Sequence, residues 1–456
     1  MKDAVIIGSG PGGYYCGLKL ARHGKDVAIV EKDKIGGVCT NSGCIPTKAF
    51  LESARILHQT RNSERMGIEC KDVELNFDKT KKNAELSIKK SKLGIEHLLN
   101  SAGVEILHGR GSLTRENVVE ISGEDEGSIE TKNVVIATGS SPRNLPNIAC
   151  DGETILSSKE LLNFRRVPES LLIIGGGSIG VEFAMIYGTF GSQVAIVELL
   201  QHLLPMESRI IGQTMEKILK RRGIRVYTNV AVKEVDLSGG SALATLGDEK
   251  RTEISAKKIL LSVGRAPNVN ETLIRLGVKL GKEGIVVNER MQTTVPNVYA
   301  IGDVVGEPML AHSAWAEAEV AALNICGTPA KMEYDYIPRC VYTFPEVASF
   351  GLTEEQARER GYEIRMGEFP LVANARARIS GERDGFARII ADSKTKRVLG
   401  ACAVAPHATE IIEELVLAAR LGLSYEEIGK TVHPHPTISE IIFEAARDIE
   451  DDSLHK

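Results

Sequence analysis

Cys39 and Cys44 stand five residues apart in Gly36-Gly37-Val38-Cys39-Thr40-Asn41-Ser42-Gly43-Cys44-Ile45-Pro46-Thr47-Lys48. Two thiols at this spacing can cycle between dithiol and disulfide. A disulfide holds its Cα atoms roughly 4.4–6.8 Å apart. A straight helix rises about 1.5 Å per residue, which carries positions five apart beyond that range. A bonded pair therefore requires a bend, and Gly43 supplies the backbone freedom. The competing reading is two buried free thiols, because cysteine is among the most buried residue types. A second constellation lies near the end of the chain, in His433-Pro434-His435-Pro436-Thr437-Ile438-Ser439-Glu440. Each histidine precedes a proline, which pushes it into extended geometry. His435 and Glu440 then suit a base and the carboxylate that orients it. The competing reading is a capped loop that enters a helix after Ser439.

Such side chains need a frame, and the frame is repeated. Val5-Ile6-Ile7-Gly8-Ser9-Gly10-Pro11-Gly12-Gly13 matches Leu172-Ile173-Ile174-Gly175-Gly176-Gly177-Ser178-Ile179-Gly180 at a distance of 167 residues. Both read as an apolar strand followed by G-x-G-x-x-G. Each reaches Val-Ala-Ile-Val-Glu, so Glu31 and Glu198 both lie 23 residues beyond their first glycine. A lone glycine motif is weak evidence, whereas two complete copies of strand, turn, helix and distal acid point to two dinucleotide sites. The glycines Gly8, Gly10 and Gly13, and likewise Gly175, Gly177 and Gly180, allow the tight turn, backbone approach to a pyrophosphate and helix–strand packing. The helix start offers free N–H groups to the phosphates. Glu31 and Glu198 are expected to accept from ribose hydroxyls. Glu198 would repel a 2′-phosphate, and no arginine follows it before Arg209, which favours NAD over NADP.

The 456 residues suffice for about three or four domains. An apolar fraction of 43% and a charged fraction of 26% are ordinary for a soluble globular chain. The net charge of −5 gives no basic field to attract nucleic acid or anionic membrane. Only one of the eight cysteines' pairings is closely spaced, which argues against a disulfide scaffold and against a zinc site. No metal site is expected. Met1-Lys2-Asp3 leads straight into the strand 4–7 with no signal-peptide pattern, and no apolar run approaches a membrane span of roughly 20 residues, so a cytoplasmic location is expected. Residues 134–140, 259–265 and 298–303 read as buried strands that end in small-residue turns. Asp303, at the end of such a strand, can bind nucleotide hydroxyls or cap a helix.

Taken together the chain resembles the flavin-dependent disulfide reductases over nearly its whole length, and most closely the dihydrolipoamide dehydrogenase family within the class I pyridine nucleotide-disulfide oxidoreductases. The markers are GGVCTNSGCIPTK at 36–48, the paired glycine units, ATGS at 137–140, SVGRAPN at 262–268, VYAIGD at 298–303, MLAH at 309–312, YTFPEVASFG at 342–351 and HPHPTISE at 433–440. The resemblance implies an α/β fold: two Rossmann-like FAD/NAD(P)-binding units plus a C-terminal α+β dimerisation domain. It divides the chain into an FAD-binding domain at 1–145, an NAD-binding domain at 146–267, a central domain completing the FAD site at 268–333, and an interface domain at 334–456.

The same resemblance implies roles. Cys39 would be the interchange thiol that meets substrate, and Cys44 the thiol beside the flavin. Lys48, paired with Glu182, would lie near the flavin ring; a buried lysine needs such a partner. Gly37, Gly111, Thr138, Gly139, Asp303 and Ala311 would join Gly8, Gly10, Gly13 and Glu31 around FAD. Val230 and Gly264 would join the second glycine set around NAD. His435, held by Glu440 and with a cis His435–Pro436 bond, would reach the partner's active site in a homodimer. The implied reaction is FAD-dependent oxidation of protein-bound dihydrolipoamide to lipoamide with reduction of NAD+ to NADH. The implied partner is the lipoyl-bearing domain of a 2-oxo acid dehydrogenase or glycine-cleavage complex. Glutathione or trypanothione reduction would favour NADPH, against Glu198. Mercuric reduction would need a C-terminal cysteine pair, and residues 451–456 hold none. A transhydrogenase of this fold would lack the redox pair. A non-catalytic flavoprotein would have no use for Cys39, Cys44, Lys48, His435 and Glu440. Pro434, Phe344, Thr40 and Trp315 depart from the family's usual residues.

Overall fold

Short apolar runs bounded by glycine turns become the central parallel strands of two similar sheets. Strands buried on both faces read as continuous Val/Ile/Leu runs rather than as alternation. The computed structural model describes residues 1–247, 249 and 251–456. They form two units, each discontinuous in sequence: Met1–Phe50, Asn76–Arg143 and Gly264–Tyr334 in the first, and Leu51–Leu75, Asn144–Val263 and Asp335–Lys456 in the second.

In the first unit five parallel strands run in the order Val298–Ala300, Val134–Ile136, Ala4–Ile7, Val27–Glu31 and Glu105–His108. Ile6 pairs with Ile29 on one side and with Val135 on the other. All three are fully buried, each contributing about 1.5–3 kcal/mol. The chain order reverses beside Ala4–Ile7, so a crevice opens at the carboxyl end of that strand, the usual nucleotide position in such sheets. A three-stranded antiparallel sheet of Arg110–Arg115, Val118–Ser122 and Gly127–Glu130 is also part of this unit. The helices Pro11–Arg22 and Ala311–Ile325 contribute Cys16, Leu20, Ala318 and Ala321 to one side of its core.

The second unit repeats the arrangement. Its parallel sheet runs Arg225–Tyr227, Gln193–Val197, Ser170–Ile174, Lys258–Leu261 and Ile155–Leu156. Ile173 pairs with Ile196 and Leu260 as Ile6 pairs with Ile29 and Val135. The unit also holds an antiparallel sheet ordered Arg339–Val341, Glu346–Gly351, Val398–Ala405, Phe386–Asp392 and Ile364–Pro370. The helices Ala408–Arg420, Tyr425–Lys430 and Glu440–Asp448 pack their Ile412, Leu415, Ile428, Ile441 and Ala445 into its core. Among the described residues no helix is long and apolar enough to cross a membrane, and no cluster of three or more His, Cys, Asp or Glu side chains could hold a metal ion.

Candidate active site

Cys39 lies in the short helix Gly37–Ser42, and Cys44 opens the long helix Cys44–Arg61. Between them Gly43 takes φ −133° and ψ −108°, which breaks the helical path. The break brings the two Cα atoms to 4.6 Å, and the thiols are joined as a disulfide. A side chain at 43 would sit 3.0 Å from the Val38 carbonyl and 3.4 Å from the Cys39 Cα, so any larger residue would have to push the backbone of the redox turn by a few tenths of an ångström. Asn41 braces the turn by donating to the carbonyls of Gly37 at 2.8 Å and Ile35 at 3.0 Å. Gly37 packs so closely on Gly10 that a Cβ would lie 2.7 Å from the Gly10 Cα. Gly36 N–H donates to the Ser9 carbonyl and to Ser9 Oγ. The disulfide is thus carried against the first glycine loop. Cys44 occupies the positive end of an 18-residue helix, where a negative thiolate released by reduction gains about 0.3–1 kcal/mol. Lys48 follows Cys44 by four residues and shares its helix face.

Every residue named from the sequence for FAD lies in the first unit. A Cβ on Gly8 would run into the Ala137 carbonyl, and one on Gly13 into the Gly8 carbonyl. Gly10 has open space where a Cβ would be and caps the helix Pro11–Arg22 without a side-chain bond, and the first turn holds no acidic residue. Its leading N–H groups therefore suit an anion such as a pyrophosphate. Gly111 approaches Val30 and Ile7 to within about 3.2 Å of a built Cβ. Gly139 adopts a positive φ of 68°, and Thr138 Oγ donates to the Asn268 carbonyl at 2.7 Å. Asp303 accepts from Ser140 Oγ, with the Arg265 Nε 3.7 Å away. Ala311 begins the helix Ala311–Ile325.

The second glycine loop has the same construction. A Cβ on Gly175 would strike the Ser262 carbonyl, one on Gly180 the Gly175 carbonyl, and Gly177 faces open space at an uncapped helix start. Val230 donates its N–H to the Glu198 carbonyl at 3.2 Å. Gly264, by contrast, belongs to the first unit, whereas Gly175, Gly177, Gly180, Glu198 and Val230 all belong to the second. Lys48 and Glu182 are divided in the same way. Glu182 is buried, and its Oε1 accepts from Tyr342 N–H at 2.9 Å.

Both distal glutamates do more than was expected of them. Glu31 Oε2 accepts from Ser9 N–H at 2.8 Å and Ser9 Oγ–H at 2.7 Å. Glu198 accepts from Gly176 N–H at 2.6 Å and Leu200 N–H at 2.8 Å. Each carboxylate therefore locks its own glycine loop. A residue that sequence reasoning missed does comparable work at Asp303. Glu317 is 2% exposed, and it accepts from Gly302 N–H and from the Tyr334 hydroxyl at 2.9 Å. Burial pushes its pKa up to about 7. A charge among Ala314, Ala318 and Ala321 on one helix face was the available signal.

His435 and Glu440 meet as their spacing suggested. His435 Nδ1 lies 2.8 Å from Glu440 Oε1, and Thr437 N–H donates to Glu440 Oε2 at 2.8 Å. A carboxylate only accepts, so Nδ1 carries a proton toward Glu440 and Nε2 is the ring nitrogen left for another partner. The imidazole is 71% exposed, and the His435–Pro436 bond is cis. Ser439 makes no capping bond; the helix Glu440–Asp448 is entered through the Glu440 carboxylate instead.

Two dinucleotide folds, with a disulfide set against the glycine loop of one of them, define a class of nucleotide-dependent disulfide oxidoreductases. The family profile for pyridine nucleotide-disulphide oxidoreductases matches residues 2–318, and that for their dimerisation domain matches residues 337–446. The chain is 36% identical to the dihydrolipoyl dehydrogenase of Bacillus subtilis over 99% of each chain. It is 38% identical to that of Geobacillus stearothermophilus over 97% of this chain and 95% of the other. The crystal structure of LpdA from Mycobacterium tuberculosis superposes with a TM-score of 0.91 at 28% identity, covering 98% of this chain and 99% of that one. The chain belongs to the pyridine nucleotide-disulphide oxidoreductase family, on its dihydrolipoyl dehydrogenase branch.

Proposed function

We propose that this protein oxidises the dihydrolipoyl group of a lipoyl-bearing domain and reduces NAD+ to NADH. The observation that carries the reading is the Cys39–Cys44 disulfide packed on the first glycine loop. We assign residues 1–145 and 268–333 to the FAD site, 146–267 to NAD and 334–456 to a homodimer interface. FAD would be held by Gly8, Gly10, Gly13, Glu31, Gly37, Lys48, Gly111, Thr138, Gly139, Asp303 and Ala311. NAD would be held by Gly175, Gly177, Gly180, Glu198 and Val230, with Gly264 as a further contact. Lys48 is assigned to the flavin side, with Glu182 as the partner that the family pattern implies.

The chemistry begins at His435 Nε2. It takes a proton from one substrate thiol while Glu440 holds the ring from Nδ1. The substrate thiolate attacks Cys39 Sγ, the Cys39–Cys44 bond breaks, and Cys44 leaves as a thiolate. The second substrate thiol attacks the substrate sulfur of that mixed disulfide and expels Cys39, its proton passing to the Cys39 sulfur. A lipoyl ring and an enzyme dithiol result, with two electrons moved from substrate to protein. Only thiolates exchange, so the base and the helix end at Cys44 each lower a barrier. Bound FAD supplies the two-electron chemistry that links this dithiol to NAD+. His435 serves the partner subunit's Cys39 in this reading, and the setting is the cytoplasm. The lipoyl-bearing partner is a component of a 2-oxo acid dehydrogenase or glycine-cleavage complex.

The test is steady-state turnover of the FAD-loaded protein with dihydrolipoamide and either NAD+ or NADP+. NADH formation dependent on dihydrolipoamide is expected. Its absence, or a preference for NADP+, refutes the reading.

A further inference from the structure

The proposed chemistry leaves His433 without a task, yet it is the more tightly held of the two histidines. Its side chain is 6% exposed. Nδ1 lies 2.9 Å from the Thr431 carbonyl, and Nε2 lies 3.1 Å from Glu414 Oε2. Both partners only accept, so a neutral ring with one N–H would face an oxygen with a bare lone pair; the imidazolium satisfies both. The ring also packs on Phe443, with centroids 5.6 Å apart. Phe443 belongs to the helix Glu440–Asp448, whose first residue orients His435, and Glu414 belongs to the helix Ala408–Arg420. His433 therefore ties the loop to both helices.

We propose that His433 is a positioning residue for His435: an imidazolium braced between Thr431 and Glu414 fixes the 431–437 loop and places a positive charge beside the Glu440 carboxylate. The inference rests on His435 as the base. The charged groups acting on His433 are Glu414 and Glu440, and the Glu414 hydrogen bond outweighs burial in raising its pKa. Arg447 lies over the Phe443 ring. Removing the cation leaves the Glu414 and Glu440 carboxylates without its compensating charge, and the more negative surround favours the protonated form of His435. Removing Glu414 as well restores the balance of charge.

The experiment follows the pH dependence of flavin reduction by dihydrolipoamide in FAD-loaded enzyme, with NADH-driven reduction as the check on folding. His433→Gln is expected to lower the rate and move the acid limb up by about half a pH unit. The double variant His433→Gln/Glu414→Gln is expected to return the limb toward wild type. If His433→Gln fails to load FAD, Glu414→Gln alone carries the test, because its amide oxygen still accepts from Nε2; its limb should move to lower pH. A limb that stays put, or one that moves and is not restored in the double variant, overturns the inference while His435 remains the base. If His435→Gln leaves the wild-type limb intact, the base assignment falls and the inference with it.

Discussion

Replacing Glu440 by glutamine tests how the proposed base is aimed. In the structure one carboxylate serves two donors, His435 Nδ1–H at Oε1 and Thr437 N–H at Oε2, both at 2.8 Å. Glutamine has the same shape but one acceptor oxygen and one amide nitrogen. Whichever way the amide turns, one N–H group faces another. Either the ring loses its orienting acceptor or the loop loses its tie to the helix start. A hydrogen bond to a charged group contributes about 1.5–3 kcal/mol. His435 is 71% exposed, so water competes and the lower half of that range applies. At about 1.4 kcal/mol per tenfold, Glu440→Gln should slow flavin reduction by dihydrolipoamide roughly 10- to 40-fold. Stopped-flow absorbance at subsaturating dihydrolipoamide measures this directly. Flavin reduction by NADH needs no base at the thiol side and should be unchanged. A loss below about threefold would refute the orienting role. An equal loss in the NADH-driven reaction would show damage to the fold instead.

Three further outcomes are expected. Two-electron reduction should give a long-wavelength charge-transfer absorption that survives Cys39→Ser and vanishes in Cys44→Ser; the opposite pattern would exchange the two thiol roles. Gly180→Ala drives a Cβ into the Gly175 carbonyl and should abolish NADH binding by titration while FAD content is kept, whereas Gly13→Ala should lower FAD content; retained NADH affinity in Gly180→Ala would unseat the second loop as the NAD site. Glu317 has a folded-state pKa near 7 against an ordinary 4.5, so the native state holds the extra proton and stability falls as pH rises through that window. Relative to wild type, Glu317→Gln should gain stability between pH 4.5 and 8, up to roughly 3 kcal/mol by urea unfolding; a constant difference across pH would contradict a proton on Glu317.

The glycine loops were legible because their constraint is local and absolute. Gly8 and Gly175 need positive φ and clear a neighbouring carbonyl, and no other residue type does both without strain. Cys39, Gly43 and Cys44 were legible for a related reason: the bend that joins the thiols spans six residues. His435 and Glu440 are likewise near neighbours in the chain. What the sequence hid is non-local. The strand Val298–Ala300 joins the first sheet by pairing with Val134–Ile136 across more than 160 residues, and no periodicity within either segment announces a partner at that distance. Glu317 reaches back to the Gly302 turn, and His433 finds Glu414 on a separate helix. The distal glutamates were found but half understood. Their spacing from the first glycine suggested a ribose contact, and the same spacing returns the carboxylate to Ser9 N–H in one copy and Gly176 N–H in the other. A carboxylate that holds its own loop has fewer lone pairs left for a ligand, and Glu198 already accepts from Gly176 and Leu200 N–H. Ser439 shows how a local signal can be overridden: its residue type suits a cap, but its backbone is already helical at φ −61° and ψ −18°, and the Ile441 and Ile442 N–H groups that a cap would take donate instead to the carbonyls of Ile438 and Ser439.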